Sequence, residues 1–356
     1  MDGKSIYEIT NTENFQEGKI KVVKSEATTF SLVKSNGEFY AFKHSCPHHG
    51  ANFKDGIISG KTIICPWHHA HFDLETGEML EPPGPESLET FHVFEKDGRI
   101  YVDLFSAKKP EAVPAGKTYS ANPAYAIIGA GAAGAAAAET LRKNDFNGRI
   151  ILISKEETEY YDRTLLSKEF LSEGKTLNRI PVRSGEFYRE SGIERVTGDV
   201  KALDIESGKI IFENGSEIFF DKLLIATGGV PFRPQFPGND SENVYTLRSL
   251  SDAEKIRQAA ERCSKAVIIG ASFIGMECAA SLRKLGLDIT VTAIEKLPFE
   301  NVLGQELGKS ILKAHHLFGM CDCLKTSLYG RAYPLCRGVI CYEMGISSFY
   351  VFKLSV

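Results

Sequence analysis

Over its first hundred or so residues the chain alternates apolar and polar positions in short runs, the period-two signature of strands with one face buried. Residues 29–33, 38–42, 91–94 and 100–104 carry the pattern. Asn36-Gly37 and Asp97-Gly98 punctuate it with dipeptides that tolerate the left-handed backbone of a tight hairpin. This predicts a small antiparallel β domain over residues 1–105. Residues 106–123, SAKKPEAVPAGKTYSANP, exchange the alternation for Pro, Ala and Lys and read as an extended linker. From Ala124 the pattern becomes strand, glycine turn, alanine-rich helix and strand again, AYAIIGAGAAGAAAAETLRK followed by RIILISKE. A second copy starts at Lys265, KAVIIGASFIGMECAASLRKLGLDITVTAIEK. Such alternation of strands and helices predicts α/β units with parallel sheets. Residues 319–356 have no clear period and no recognisable motif.

A chain of 356 residues with 43% apolar and 25% charged positions has room for two or three domains with proper cores. Its net charge of −4, without a lysine or arginine cluster interleaved with aromatics, argues against a nucleic-acid surface. No uncharged apolar run reaches the ~18–20 residues of a membrane span. The start, MDGKSIYEITNTENF, lacks both an apolar signal core and an arginine-rich amphipathic pattern, so a reducing cytoplasmic compartment is expected, with the mitochondrion as the alternative. In that setting the eight cysteines are not read as a disulfide framework. Cys263 and Cys278 read as helix packing. Cys321, Cys323, Cys336 and Cys341 have the chemistry for zinc but spacings that fit no common ribbon, so they read as part of an unselected tail.

Two short stretches carry chemistry of another kind: Cys46-Pro47-His48 and Cys65-Pro66-Trp67-His68. Each offers one thiolate and one imidazole from a proline-containing loop. The four suit either a structural zinc site or a two-iron centre that divides Cys2His2 between its metals. One Cys and one His per loop favours the second, since zinc modules usually take paired ligands of one kind from each element. His44, His49, His69 and His71 crowd the same loops, but no spacing selects them and they are left out of the metal set. The whole pattern, Cys46-x-His48, sixteen residues, then Cys65-x-x-His68, with Gly50 beside the first loop and Phe72-Asp73 after the second, resembles a Rieske [2Fe-2S] domain. That resemblance exposes one departure. Rieske families usually carry glycine after the second histidine ligand, where this chain has His69, which implies a crowded loop or a strained backbone. It also bears on potential: the positions of the Ser and Tyr hydroxyls of high-potential Rieske proteins are Ala70 and Phe72, and neither loop has a second Cys. Fewer hydrogen bonds to sulfur place the potential towards the low end of the Rieske range of roughly −150 to +300 mV.

In the first α/β unit, Gly129-x-Gly131-x-x-Gly134 allows the tight turn, the close approach of a pyrophosphate and helix-to-strand packing, and Glu156 ends the next strand where a carboxylate can hold ribose hydroxyls. A lone motif of this kind is also compatible with a plain turn; the flanking strands and the acidic residue favour dinucleotide binding. In the second unit Gly270, Ser272 and Gly275 hold the three turn positions and Glu295 ends the following strand. Glu295 would accept from a 2′-hydroxyl and repel a 2′-phosphate, so NADH is expected over NADPH.

Tandem nucleotide-binding units, the first followed by Tyr161-Asp162-Arg163-x-x-Leu166-Ser167-Lys168 and by Ile225-Ala226-Thr227-Gly228-Gly229, resemble the two-dinucleotide-binding-domain flavoprotein reductases, which include the ferredoxin and rubredoxin reductases and apoptosis-inducing factor. GASFIGMECAA and the Rieske pattern in front make the apoptosis-inducing-factor-like branch with an amino-terminal Rieske domain the best match, over residues 1 to about 318. The resemblance implies a multidomain fold: an all-β Rieske domain followed by α/β FAD/NAD(P)-binding, Rossmann-like domains, incomplete at the C-terminus. The expected divisions are 1–105, linker 106–123, an FAD domain at 124–247, a partial NADH domain at 248–318 and the tail.

By position, the resemblance puts Gly129, Gly131 and Gly134 at the FAD pyrophosphate, Glu156 at its ribose, Arg163 and Lys168 near phosphate and isoalloxazine, and Thr227 and Gly228 over the cofactor. It puts Gly270, Gly275 and Glu295 at NADH. It pairs Lys168 with Glu277 beside the flavin, an ion pair that would stabilise reduced flavin; a purely structural salt bridge is the other reading. Residues 124–262 contain no cysteine, so the redox dithiol of related disulfide reductases is missing. The implied function is an NADH oxidoreductase passing electrons from NADH through FAD to the cluster and on to an unknown acceptor. The alternative is a non-catalytic Rieske electron-transfer or apoptosis-related interaction protein whose flavin module is defective.

Overall fold

The period-two stretches fold as β1 (Ile6–Asn11), β2 (Lys21–Lys24), β3 (Thr29–Ser35), β4 (Glu38–Lys43), β5 (Ile57–Ser59), β6 (Thr62–Ile64), β7 (His71–Asp73), β8 (Met79–Glu81), β9 (Thr90–Lys96) and β10 (Arg99–Lys108). The computed structural model describes residues 6–11, 15–26, 28–84, 86–108, 119–174, 182–231, 233, 238–293 and 295–317, with the backbone of three short segments beyond. They fall into two compact units, residues 1–114 with 143–145, and 115–142 with 146–356.

In the first unit, a six-stranded antiparallel sheet in the order β1-β10-β9-β4-β3-β2 accompanies a four-stranded one, β5-β6-β7-β8. Successive side chains of a strand point to opposite faces. Phe30, Leu32 and Ala41 therefore pack with Phe91, Ile100 and Val102 on one face of the large sheet. Val33, Tyr40 and Phe42 face the other way, onto Phe53, Ile63, Phe72 and Leu74. Phe53 links the two sheets, edge-to-face with Phe42 at 5.6 Å and with Phe72 at 6.1 Å. Both hairpin dipeptides adopt the left-handed backbone, with φ of 52° and 81° at Asn36 and Gly37 and of 51° and 69° at Asp97 and Gly98.

Strand β10 runs on to Lys108, and the described residues resume at Tyr119, whose ring lies 3.6 Å from the Arg142 guanidinium. Residues 109–118 lie outside the described residues.

In the second unit, β11 (Ala124–Ile128), α1 (Ala132–Lys143) and β12 (Arg149–Ser154) form the first glycine-turn unit. The single turn α2 (Leu171–Glu173) and α3 (Gly185–Glu190) follow. Then come β13 (Ile193–Thr197), the antiparallel meander β14 (Val200–Asp204), β15 (Lys209–Phe212) and β16 (Glu217–Phe219), and β17 (Lys222–Ile225). The parallel sheet has the order β13-β12-β11-β17. Arg142, 1% exposed, ties its return loops together by donating to the carbonyls of Phe146, Gly148, Ser191 and Gly192.

The second copy has a short strand, β18 (Val244–Tyr245), then α4 (Leu250–Ala260), started by a reciprocal capping box between Ser249 and Asp252. Next are β19 (Lys265–Ile269), α5 (Phe273–Lys284), β20 (Asp288–Ala293) and α6 (Glu300–Leu317), the last broken at Gly304. Met276, Cys278, Ala279 and Leu282 of α5 pack on Ile268, Ile289 and Val291, so Cys278 is core. In the tail, β21 (Cys321–Leu324) lies parallel to β20, β22 (Val339–Tyr342) parallel to β19, and β23 (Val351–Phe352) antiparallel to β18 and β19. The side chains of Cys321, Cys323, Cys336 and Cys341 lie outside the described residues. Among the described residues no helix is long and apolar enough to cross a membrane.

Candidate functional site

The two Cys-Pro loops prove to be built alike. The first follows β4 and the second joins β6 to β7. In the first, the Cys46 N–H donates to Ala51 O at 2.8 Å and the Cys46 carbonyl accepts from Gly50 N–H at 2.9 Å. In the second, the Cys65 N–H donates to Ala70 O at 2.9 Å and the Cys65 carbonyl accepts from His69 N–H at 3.1 Å. The fifth residue of each loop is left-handed, Gly50 with φ 73° and His69 with φ 58°. His69 thus occupies the place that glycine takes in the sister loop, and the strained backbone expected there is present.

Cys46 and Cys65 are both buried, while the rings of His48 and His68 lie 4.8 Å apart, edge to face, with His68 exposed. Burial pushes the Cys46 thiol up to about 11, with the Cys65 thiol adding to it, against backbone hydrogen bonds from His48 and His49. A cationic metal centre inverts that logic and deprotonates a coordinated thiol outright. Two buried sulfurs with N–H groups aimed at one of them, and two imidazoles at the exposed side, fit a Rieske cluster better than an apolar core. Ala70 and Phe72 are fully buried and bring no hydroxyl to the loops. Of the histidines left out, His44 Nδ1 bonds Ser31 Oγ at 2.8 Å, His71 Nδ1 lies 3.4 Å from Glu81 Oε2, and the His49 ring lies 4.0 Å from that of His48.

In the second unit the first glycine turn opens on a cavity of about 640 Å³, lined among others by Gly129, Gly131, Glu156, Arg163, Thr227 and Gly228. The three glycines do different work. Gly129 has φ 111°, and a Cβ there would stand 2.2 Å from Ala226 O. A Cβ at Gly134 would stand 1.8 Å from Gly129 O, so this position sets helix-to-turn packing. At Gly131 a Cβ would meet nothing within 4 Å, and the missing side chain leaves room in the cavity itself. The N-terminus of α1 follows this turn, an arrangement suited to a phosphate. Glu156 already has partners: Oε2 accepts from Tyr161 Oη at 2.5 Å and Oε1 from Arg163 at 2.6 Å. A carboxylate offers about four acceptor sites, so two lone pairs remain for ribose hydroxyls. Arg163 also donates to Arg248 O at 2.6 Å. Arg248 lines the cavity too and was not singled out from the sequence; its one local signal is its place just before the Ser249 cap.

Lys168 and Glu277, 109 positions apart, do meet: Nζ lies 3.0 Å from Glu277 Oε1, and Ser167 Oγ donates to Glu277 Oε2 at 2.6 Å. Lys168 sits in a π-helical turn, Leu166–Phe170, with non-helical φ −109° and ψ −107°. In the second copy Gly270 has φ 116° and a Cβ at Gly275 would stand 2.2 Å from Gly270 O, matching the first turn. Ser272 is the N-cap residue of α5, and Glu295 Oε1 accepts from Asn301 Nδ2 at 3.1 Å.

A model of the pyridine nucleotide-disulphide oxidoreductase family matches residues 123–321, more than half of the chain. The chain belongs to that family. A Rieske [2Fe-2S] domain model matches residues 5–92 ahead of it. Within the family, apoptosis-inducing factor 3 of Homo sapiens is 35% identical over 315 residues, which is 86% of this chain and 51% of that protein. The ferredoxin–NAD(+) reductase component of the biphenyl dioxygenase system of Paraburkholderia xenovorans is 36% identical over 184 residues, 51% of this chain and 45% of that one. Among solved structures, a ferredoxin reductase from Rhodopseudomonas palustris superposes with a TM-score of 0.55 at 29% identity, covering 64% of this chain and 53% of that chain. The chain spans about half the length of the curated relatives it matches. The Rieske domain implies a [2Fe-2S] cluster and the oxidoreductase domain implies FAD and NADH; the loop donors and the glycine-turn cavity fit the first two.

Proposed function

We propose that the chain is an FAD-dependent NADH oxidoreductase that passes electrons to a Rieske [2Fe-2S] cluster in the same polypeptide, and from there to an acceptor. The observation that carries this reading is the cavity at the first glycine turn, which gathers six of the residues assigned to FAD around one space. Relatives named as ferredoxin–NAD(+) reductase components support a redox exchange that involves a nicotinamide and a ferredoxin-like partner.

The proposed roles follow from the side chains. Gly131 leaves the backbone N–H groups at the start of α1 open to a pyrophosphate. Glu156 holds a ribose through its two remaining lone pairs, and Arg163, fixed by Glu156 and Arg248 O, supplies positive charge at the cavity wall. Thr227 and Gly228 line the same cavity and cover the cofactor. Lys168, held by Glu277, presents an ammonium that favours an anionic reduced ring. Gly270, Gly275 and Glu295 hold NADH, the carboxylate disfavouring a 2′-phosphate. Cys46, His48, Cys65 and His68 are the proposed cluster ligands. When bound, FAD supplies a two-electron hydride acceptor and the cluster a one-electron carrier.

FAD titration of the purified chain, followed by quenching of flavin fluorescence, tests the reading. Saturable binding that Gly131→Ala weakens supports it. Binding that is absent, or indifferent to residue 131, contradicts it.

A further inference from the structure

The pair Lys168–Glu277 leaves one neighbour without a role. Ser281, 5% exposed, lies one turn beyond Glu277 on α5. Residues four apart share a helix face, and both reach the same two-residue segment. Glu277 takes its side chains: Lys168 Nζ at 3.0 Å and Ser167 Oγ at 2.6 Å. Ser281 takes its carbonyls: Oγ donates to Ser167 O at 2.7 Å and lies 3.2 Å from Lys168 O. The backbone leaves helical geometry at Lys168; the Lys168 carbonyl also accepts from the Leu171 N–H, whereas the buried Ser167 carbonyl takes its donor from Ser281. A serine inside a helix usually bonds its own preceding turn; this one bonds across to another segment.

We infer that Ser281 is a positioning residue for the Lys168–Glu277 pair, fixing the break in the backbone at Lys168 so that its ammonium stays on the Glu277 carboxylate. The inference deepens the proposed function and rests on it where flavin is concerned, but the pair and its support belong to the chain itself. Without the Ser281 hydroxyl the Ser167 carbonyl loses a buried donor, the turn at residues 166–170 relaxes towards regular helix, and Lys168 swings away from Glu277.

The test is acylation of lysines in the full chain with an N-hydroxysuccinimide ester, read site by site by mass spectrometry. An amine held by a carboxylate and by Thr164 O reacts more slowly than a released one. In Ser281→Ala, labelling of Lys168 should rise roughly two- to tenfold, the factor one buried hydrogen bond commands, towards the rate in Glu277→Gln. Other lysines should label unchanged, and Ser281→Thr should keep the original rate. If Ser281→Ala raises labelling everywhere, Ser281→Cys, isosteric but a weak donor, carries the same expectation. Unchanged Lys168 labelling in the Ala or Cys variant, with a rise in Glu277→Gln, overturns the inference, and so does the absence of a rise in Glu277→Gln. In FAD-loaded chain, Ser281→Ala should move the flavin midpoint in the direction of Lys168→Ala and by less. Failure of the unaltered chain to bind FAD would count against the proposed function and leave the labelling result standing.

Discussion

At His69 a side chain other than glycine sits at φ 58°, in the loop whose sister places Gly50 at φ 73°. A non-glycine residue there costs about 1–2 kcal/mol, and glycine would return about 0.5–1 kcal/mol of that in lost chain entropy. His69→Gly should therefore stabilise the first unit by about 0.5–1 kcal/mol. Trp67 is the only tryptophan in the chain, so urea unfolding followed by its fluorescence reads this unit; a midpoint that stays put or falls would contradict the account. Glu295 offers a second residue-scale prediction. Hydrogen bonds to a charged group are worth about 1.5–3 kcal/mol, so Glu295→Ala should lower the preference for NADH over NADPH at least about tenfold, measured as the ratio of kcat/KM. An unchanged ratio would remove Glu295 from the ribose site.

The glycine turns act as elements, and their members separate by what a methyl group would meet. Gly134→Ala pushes a Cβ to 1.8 Å from Gly129 O, so the helix must shift, with overpacking costs of about 1–3 kcal/mol. Gly131→Ala meets nothing within 4 Å and should leave thermal stability within about 0.5 kcal/mol, as substitutions away from packed features do, yet weaken FAD binding. Equal stability losses in the two variants would contradict this division. Glycine spacing, strand alternation and hairpin dipeptides were legible in the sequence because each is a local rule. The partners of Arg142 were not, since its carbonyl acceptors at Ser191 and Gly192 lie far along the chain. Nor was the π-helical turn at Lys168, whose support comes from Ser281, more than a hundred residues on. The strand β10 continued into a stretch whose composition read as linker, because antiparallel pairing with β9 overrides composition. Ser31 as partner of His44 was likewise invisible to spacing alone.

In the molecule as a whole an iron–sulfur domain and a nucleotide-binding oxidoreductase share one polypeptide. Ala70 and Phe72 are buried and bring no hydroxyls to the sulfurs, so the cluster potential is expected near the low end of roughly −150 to +300 mV. A redox titration giving a midpoint well above zero would contradict that placement. Electron flow from NADH to flavin in this chain is read in an ultraviolet-visible spectrum of the full chain, purified anaerobically, before and after addition of NADH. Rieske absorption is expected together with a flavin band that bleaches with NADH. Rieske absorption alone, with no flavin retained and no response to NADH, would contradict it.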